Sequence, residues 1–157
     1  MKYSRELAIS YAHRWSYERN PAYFDFEHYG GDCTNFVSQC LHAGGISMSY
    51  AEDGWYYVSS YKRAPAWTSV QTFYEYFTRS HSQGIKARVV NLTEILPGDV
   101  IQLSFSPALF SHTVLVVGAQ GEKKPGDIMI AAHNIDSDYR PLSTYEYIKL
   151  RAIHLEA

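Results

Sequence analysis

A chain of 157 residues that is 46% hydrophobic and 19% charged, with a formal net charge of −2, has the composition of one globular domain able to bury a sizeable core. It has no apolar run of the roughly 20 residues needed to cross a bilayer, which excludes an integral membrane segment. Its lysines and arginines form no cluster, so nucleic acid is not an expected partner.

The opening residues, Met1-Lys2-Tyr3-Ser4-Arg5-Glu6-Leu7, hold neither an apolar h-region nor a small-residue cleavage site. No secretory leader is expected in this chain, and localisation stays open, because a domain of a longer exported protein would read the same way. Residues 4–19 carry Leu7, Ala8, Tyr11, Ala12 and Trp15 at helical spacing, which predicts an amphipathic helix ended by Asn20-Pro21. An aromatic loop, Tyr23-Phe24-Asp25-Phe26, leads to Gly30-Gly31. A second helix follows, with Phe36, Val37, Cys40, Leu41 and Gly44 on its apolar side and Gly44-Gly45 as its stop. Residues 46–66 show no sustained period and read as an irregular surface segment forming one wall of a cleft. Val70, Phe73, Tyr74 and Phe77 predict a third helix from Ser69 to Phe77, ended by His81-Ser82-Gln83-Gly84.

From Lys86 onward the pattern changes to β-branched and apolar runs separated by turns. Strands are expected at 88–90, 99–105, 113–117, 127–132 and 145–155, with Pro97-Gly98, Ser106-Pro107, residues 118–121 and Pro141 between them. Helices first and closely spaced strands afterwards predict an α+β fold, in which N-terminal helices pack against a C-terminal antiparallel β-sheet in a single domain over residues 1–157.

Two cysteines begin and follow the second helix start. If that segment is helical, Cys33 and Cys40 lie about 10.5 Å apart along its axis, beyond the roughly 7 Å limit for a disulfide, and both should be free thiols. A thiol in the first helical turn feels the partial positive charge of unpaired backbone N–H groups, which lowers its pKa toward the thiolate that attacks carbonyls. Gly30-Gly31 permits a tight turn and leaves room for a substrate, and the Cys33 N–H can face the oxyanion formed on attack.

A nucleophilic thiol needs a proton shuttle, and of seven histidines His112 stands out. Ser111-His112 opens a strongly apolar strand, and His133-Asn134 closes the next one. Antiparallel pairing of those strands brings both polar sites to the same end of the sheet. Cys33, His112 and a third group that holds the His112 tautomer then form a cysteine variant of the catalytic triad. Adjacent strand residues point opposite ways, so His133 or Asn134 can fill the third place, and His133 is the preferred one. Asp32 is expected to cap the helix, and Asn35 and Gln39, one turn apart, to bond nearby backbone. Ser111 and Trp55 complete the substrate-binding or supporting set.

Gly31-Asp32-Cys33-Thr34-Asn35-Phe36-Val37-Ser38-Gln39, Leu96-Pro97-Gly98-Asp99-Val100-Ile101, Ser111-His112-Thr113 and Ala132-His133-Asn134 occur in that order, with Arg19-Asn20-Pro21, Trp67 and Arg140-Pro141-Leu142 around them. Together they resemble the putative amidase domain family, a bacterial branch of the papain-like superfamily allied to CHAP domains and other cell-wall cysteine peptidases. The resemblance implies a papain-like fold and a cysteine amidohydrolase or peptidase cutting amide bonds, with peptidoglycan or another peptide amide as substrate. It also implies Cys33 as nucleophile, His112 as base and no cofactor.

Three other readings use the same residues. A metal centre would draw on Cys33, Cys40, His42, His112 and His133, but C-x6-C-x-H is not a zinc spacing. A papain-like acyltransferase would pass the acyl group to an amine or alcohol instead of water. A non-catalytic wall-binding module would hold glycan or peptide with Trp55, Tyr56, Tyr57 and Tyr61.

Overall fold

The computed structural model describes residues 2–79 and 85–156. Helix α1 spans Arg5–Trp15 and starts under a Ser4 cap, whose hydroxyl accepts the Leu7 N–H at 3.2 Å. Its buried stripe is centred on Ala8 and Ala12, small side chains that let it close on the second helix. Leu7, one residue off that stripe, is therefore exposed rather than buried. The helix ends at Trp15 and not at Asn20-Pro21, because a turn at Ser16 redirects the chain and leaves the Trp15 carbonyl for other donors.

Helix α2 spans Cys33–Ala43 and is buried from Cys33 through Leu41 on every side, so it is the central element and not an amphipathic surface helix. Its buried polar residues are each satisfied by a named partner. Thr34 Oγ1 lies 2.9 Å from Thr113 Oγ1, Ser38 Oγ donates to the Trp67 carbonyl at 2.9 Å, and Gln39 Oε1 accepts from Tyr11 OH at 2.5 Å. Gly45, at φ 103°, lets the chain leave the helix while its N–H bonds the His42 carbonyl at 2.9 Å.

The segment read as irregular is more regular than its composition suggests. It holds a small hairpin, β1 (Tyr57–Ser59) with β2 (Lys62–Arg63), and the start of a one-turn helix α3 (Pro65–Thr68); helix α4 (Val70–Thr78) follows where the third helix is expected. The His81–Gly84 stop expected for that last helix lies outside the described residues. Trp55, Trp67, Phe73 and Phe77 pack beneath these elements.

Six strands form one antiparallel sheet: β3 (Lys86–Val90), β4 (Val100–Ser104), β5 (His112–Ala119), β6 (Ile128–Ala132), β7 (Ser137–Pro141) and β8 (Lys149–Glu156). Their spatial order is β3-β8-β4-β5-β6-β7, so the α+β arrangement expected from the chain order is the one observed. Strand β7 had no counterpart in the sequence reading, and β8 begins at Lys149 rather than Tyr145. Leu115, Val117, Ala131, Ile153 and Leu155 face the helices, while Ile101, Leu103, Val114, Val116 and Ile130 face a second core closed by Ile95, Leu142 and Tyr145. Asp99 ties the helical layer to the sheet: fully buried, it accepts from Arg5 Nη1 at 2.8 Å and the Leu155 N–H at 3.0 Å, with His154 Nδ1 2.9 Å away.

Candidate active site

Cys33 is the first residue of α2 and is 5% exposed. The turn before it needs two glycines in the left-handed region, Gly30 at φ 97° and Gly31 at φ 101°. A Cβ on Gly31 would stand 2.5 Å from Asn134 Nδ2, so glycine is also required by the close approach of the loop after β6.

Asp32 occupies the position before the helix, yet its side chain bonds no N–H of the first turn, contrary to the capping role expected of it. Its carboxylate is pulled the other way. Oδ1 accepts the Phe26 N–H and Asn35 Nδ2, both at 2.8 Å, and Oδ2 lies 2.5 Å from His133 Nδ1. The N–H groups of the first helical turn are thus left without a side-chain cap, and that of Thr34 points at the Cys33 sulfur together with the N–H of Thr113.

Those donors do not make the thiol acidic. Burial is the largest influence on Cys33 and raises its pKa above its ordinary value, outweighing the Thr113 and Thr34 N–H groups and the Thr34 hydroxyl. The acidification expected from the helix start alone is overridden because the thiol is nearly sealed from water. Cys40 is fully buried in the helix-side core, where burial drives its pKa well upward, and both thiols are free.

β5 and β6 pair antiparallel with Leu115 opposite Ala131, which brings His112 and the His133-Asn134 pair to the same end of the sheet, as their positions at the two strand ends predict. They then diverge. Thr113 faces the helices and bonds Thr34, so its neighbour His112 turns to the other face, where its ring centroid lies 5.5 Å from Tyr145 and 6.5 Å from Phe105. His112 Nε2 is buried and has no hydrogen-bond partner among the described residues. Burial lowers its pKa to about 4, with the Arg140 charge adding to the effect.

His133 faces the helices and stacks on Phe36 at 4.1 Å between centroids. Besides Asp32, its ring meets the Trp15 carbonyl (Nε2 to O, 2.9 Å) and Arg19 Nη1 at 3.2 Å. Arg19 in turn forks onto Asp136 at 3.0 and 3.1 Å and lies 3.2 Å from Asp25. Asn134 Oδ1 accepts the Asp32 N–H at 3.0 Å. The expected hydrogen bond from His112 to His133 or Asn134 is therefore not made among the described residues, since both partners are committed to the segment that carries Cys33.

The remaining expected residues separate by depth. Ser111 is exposed and lines, with His112, Asn134, Ile135, Arg140 and Tyr145, a pocket of about 280 Å³. Asn35 holds the loop before the helix: it donates to the Phe24 carbonyl at 3.0 Å and accepts from Trp67 Nε1 at 2.9 Å. Trp55 does not reach a cleft. It is fully buried, 4.6 Å from Trp67 between centroids, and donates to Ser38 Oγ at 3.0 Å, because its amphipathic ring fills the core better than a surface.

The family model for the putative amidase domain matches residues 2–155. The chain belongs to the putative amidase domain family. It is also similar to the uncharacterized protein YhbB of Bacillus subtilis (strain 168), 36% identical over 144 residues that make up 88% of this chain and 44% of the relative. The chain thus spans less than half the length of that curated relative. No solved structure matches it. The family description supports amide hydrolysis as the activity class.

In this member of the putative amidase domain family, three site components carried no sequence signal of their own. Thr113 contributes a backbone N–H, the Trp15 carbonyl meets the His133 ring because α1 ends there, and Tyr145 reaches both His112 and the neighbourhood of Cys33 from a turn before β8. No helix among the described residues is long and apolar enough to cross a membrane.

Proposed function

We propose that this chain is a papain-like cysteine amidohydrolase, with Cys33 as nucleophile and His112 as general base, acting on peptide-type amides of peptidoglycan. The observation that carries the reading is the pairing of two incomplete environments. A thiol at a helix start lies under the Thr113 N–H, and His112, the residue before Thr113 in β5, has a buried nitrogen with no partner among the described residues, in a pocket open to solvent. A buried polar atom left unpaired costs about 1–3 kcal/mol, so its persistence fits a group kept free for a reacting proton.

With the thiol pKa raised and the imidazole pKa lowered, both groups rest in their neutral forms at pH 7. His112 then takes the thiol proton as Sγ attacks the amide carbon, the carbonyl π-electrons moving onto oxygen. The first turn of α2, which no side chain caps, supplies the backbone N–H donors for that oxyanion, the Cys33 N–H first among them. As the oxyanion collapses, the C–N bond breaks and His112 returns the proton to the departing nitrogen, which leaves as an amine and a thioester remains. Water attacks the thioester while His112 removes its proton, and the released thiolate recovers that proton, giving a carboxylic acid and the free thiol. His133 and Asn134 act as positioning residues, both fastening Asp32 and through it the Cys33 backbone.

The test is mass spectrometry of peptidoglycan digested by the wild-type protein, Cys33→Ala and Cys40→Ala. New amine and carboxylate ends should appear with wild type and Cys40→Ala and vanish with Cys33→Ala. Equal product from Cys33→Ala would sink the mechanism.

A further inference from the structure

Arginine placement around the site departs from that in the rest of the molecule. Arg5, Arg14, Arg19, Arg79 and Arg88 each stand within ion-pair distance of a carboxylate. Among the described residues, Arg63, Arg140 and Arg151 have no acidic partner. Two of these three line pockets that meet where Gly31, two residues before the start of α2, closely approaches Asn134. Arg140 lies in the His112 pocket, and Arg63 lines a smaller one of about 140 Å³ with Gly30, Gly31, Thr68 and Ser69. No aspartate or glutamate lines either pocket, although the chain as a whole is acidic by −2.

Both guanidinium groups are held in place and keep donors to spare. Arg140 stacks 3.7 Å over the Tyr145 ring, lies beside the Tyr145 hydroxyl, and gives Nε to Thr144 Oγ1 at 2.6 Å and Nη2 to the Thr144 carbonyl at 3.3 Å, so that part of its fork stays available at the pocket. Arg63 stacks 4.4 Å over Phe26 and gives Nε to Thr68 Oγ1 at 3.2 Å and Nη1 to the Ser60 carbonyl, leaving Nη2. A stacked, braced arginine presents its planar fork with little further entropy to lose, which suits it to carboxylate recognition.

We propose that the cleft selects amides that carry a free carboxylate on each side of the scissile bond, Arg140 and Arg63 being the specificity residues that receive them. The inference rests on Cys33 as the reactive thiol and goes further by naming the charge of the substrate. A carboxylate bound at Arg140 also screens the cation that lowers the proton affinity of His112, so an anionic substrate strengthens the base that acts on it.

The experiment uses two reagents of nearly equal size that alkylate thiols by displacement of iodide, anionic iodoacetate and neutral iodoacetamide. The ratio of their rates at Cys33 is followed by intact mass in wild type, Arg140→Lys, Arg140→Gln and Arg63→Gln, at low ionic strength. The iodoacetate-to-iodoacetamide ratio should fall at least threefold in Arg140→Gln, fall less in Arg140→Lys, which keeps the charge but not the stacked fork, and fall measurably in Arg63→Gln. Equal ratios in Arg140→Lys and Arg140→Gln, with both reagents reacting, would overturn the proposal while leaving Cys33 as the nucleophile. Failure of both reagents to label Cys33 in wild type would overturn the nucleophile assignment and this proposal with it.

Discussion

His112 and His133 end neighbouring strands of one hairpin at the same edge of the sheet, and little in their sequence contexts separates them. Their surroundings are nevertheless opposite. His133 is saturated by Asp32, the Trp15 carbonyl, Arg19 and the Phe36 ring, and it joins α1, the loop before α2 and the turn after β6. His112 has aromatic walls, an unpartnered buried nitrogen and a pocket in front of it. A histidine whose hydrogen bonds are all made inside the protein holds structure together. One whose nitrogen is kept free at the edge of a cleft is available for chemistry.

The largest effect that sharpens this contrast is on turnover. His112→Ala should lower kcat by at least about 10³-fold, within the range seen when a base serving a nucleophile is removed, with thermal stability held or raised because an unsatisfied buried nitrogen is lost. Steady-state kinetics and calorimetry on the same preparation check both halves, and a fall in Tm with kcat intact would reverse the assignment of the two histidines.

His133→Ala is expected to do the converse. The change takes the close partner from Asp32 Oδ2, while Oδ1 keeps the Phe26 N–H and Asn35, and leaves a buried acceptor unsatisfied beside a cavity against Phe36, a loss of about 2–3 kcal/mol. Urea unfolding should register it, and a change below about 1 kcal/mol would mean that the Asp32–His133 contact is not a structural anchor.

A third test is pH. The His112 pKa falls from its ordinary 6.5 to about 4 in the folded protein, so between those values the unfolded chain binds more protons than the folded one. Stability present above pH 6.5 is therefore lost as pH falls toward 4, by about 3 kcal/mol from this group. Denaturant melts across that window should show the loss in wild type and a smaller one in His112→Gln. Equal slopes in the two proteins would place the titration elsewhere.

The thiol offers a related but smaller effect. Because burial raises the Cys33 pKa, alkylation by iodoacetamide should climb steadily from pH 6 past pH 9 without the neutral-pH plateau of a preformed thiolate–imidazolium pair. A plateau below pH 7 would show that the helix start outweighs burial. Last, Trp55→Phe, which removes the N–H donated to Ser38 and shrinks a fully buried ring, should cost about 2–3 kcal/mol of stability and leave KM unchanged. A raised KM would return Trp55 to the cleft from which its burial removes it.

Local rules carried much of the fold. The α2 start and stop, the β4, β5 and β6 runs and the meeting of His112 with His133-Asn134 at one sheet end all follow from short-range patterns, because glycine, periodicity and β-branched runs act within a few residues. Strand β7 escaped them. It is joined to β6 by a four-residue turn, 133–136, whose central Asn134 and Ile135 stand at φ 64° and 63°, and a β-branched residue at positive φ is a conformation that composition argues against.

Face and burial were settled elsewhere. Whether Asp32 capped a helix or held His133, whether the Cys33 thiol was acidified or raised, and which histidine kept a free nitrogen all depended on partners about 100 residues away in the chain or on desolvation by the assembled core. Desolvation and long-range hydrogen bonds have no period and no spacing, so residue types could nominate Cys33 and His112 as candidates while only the packed molecule could assign their environments and supports.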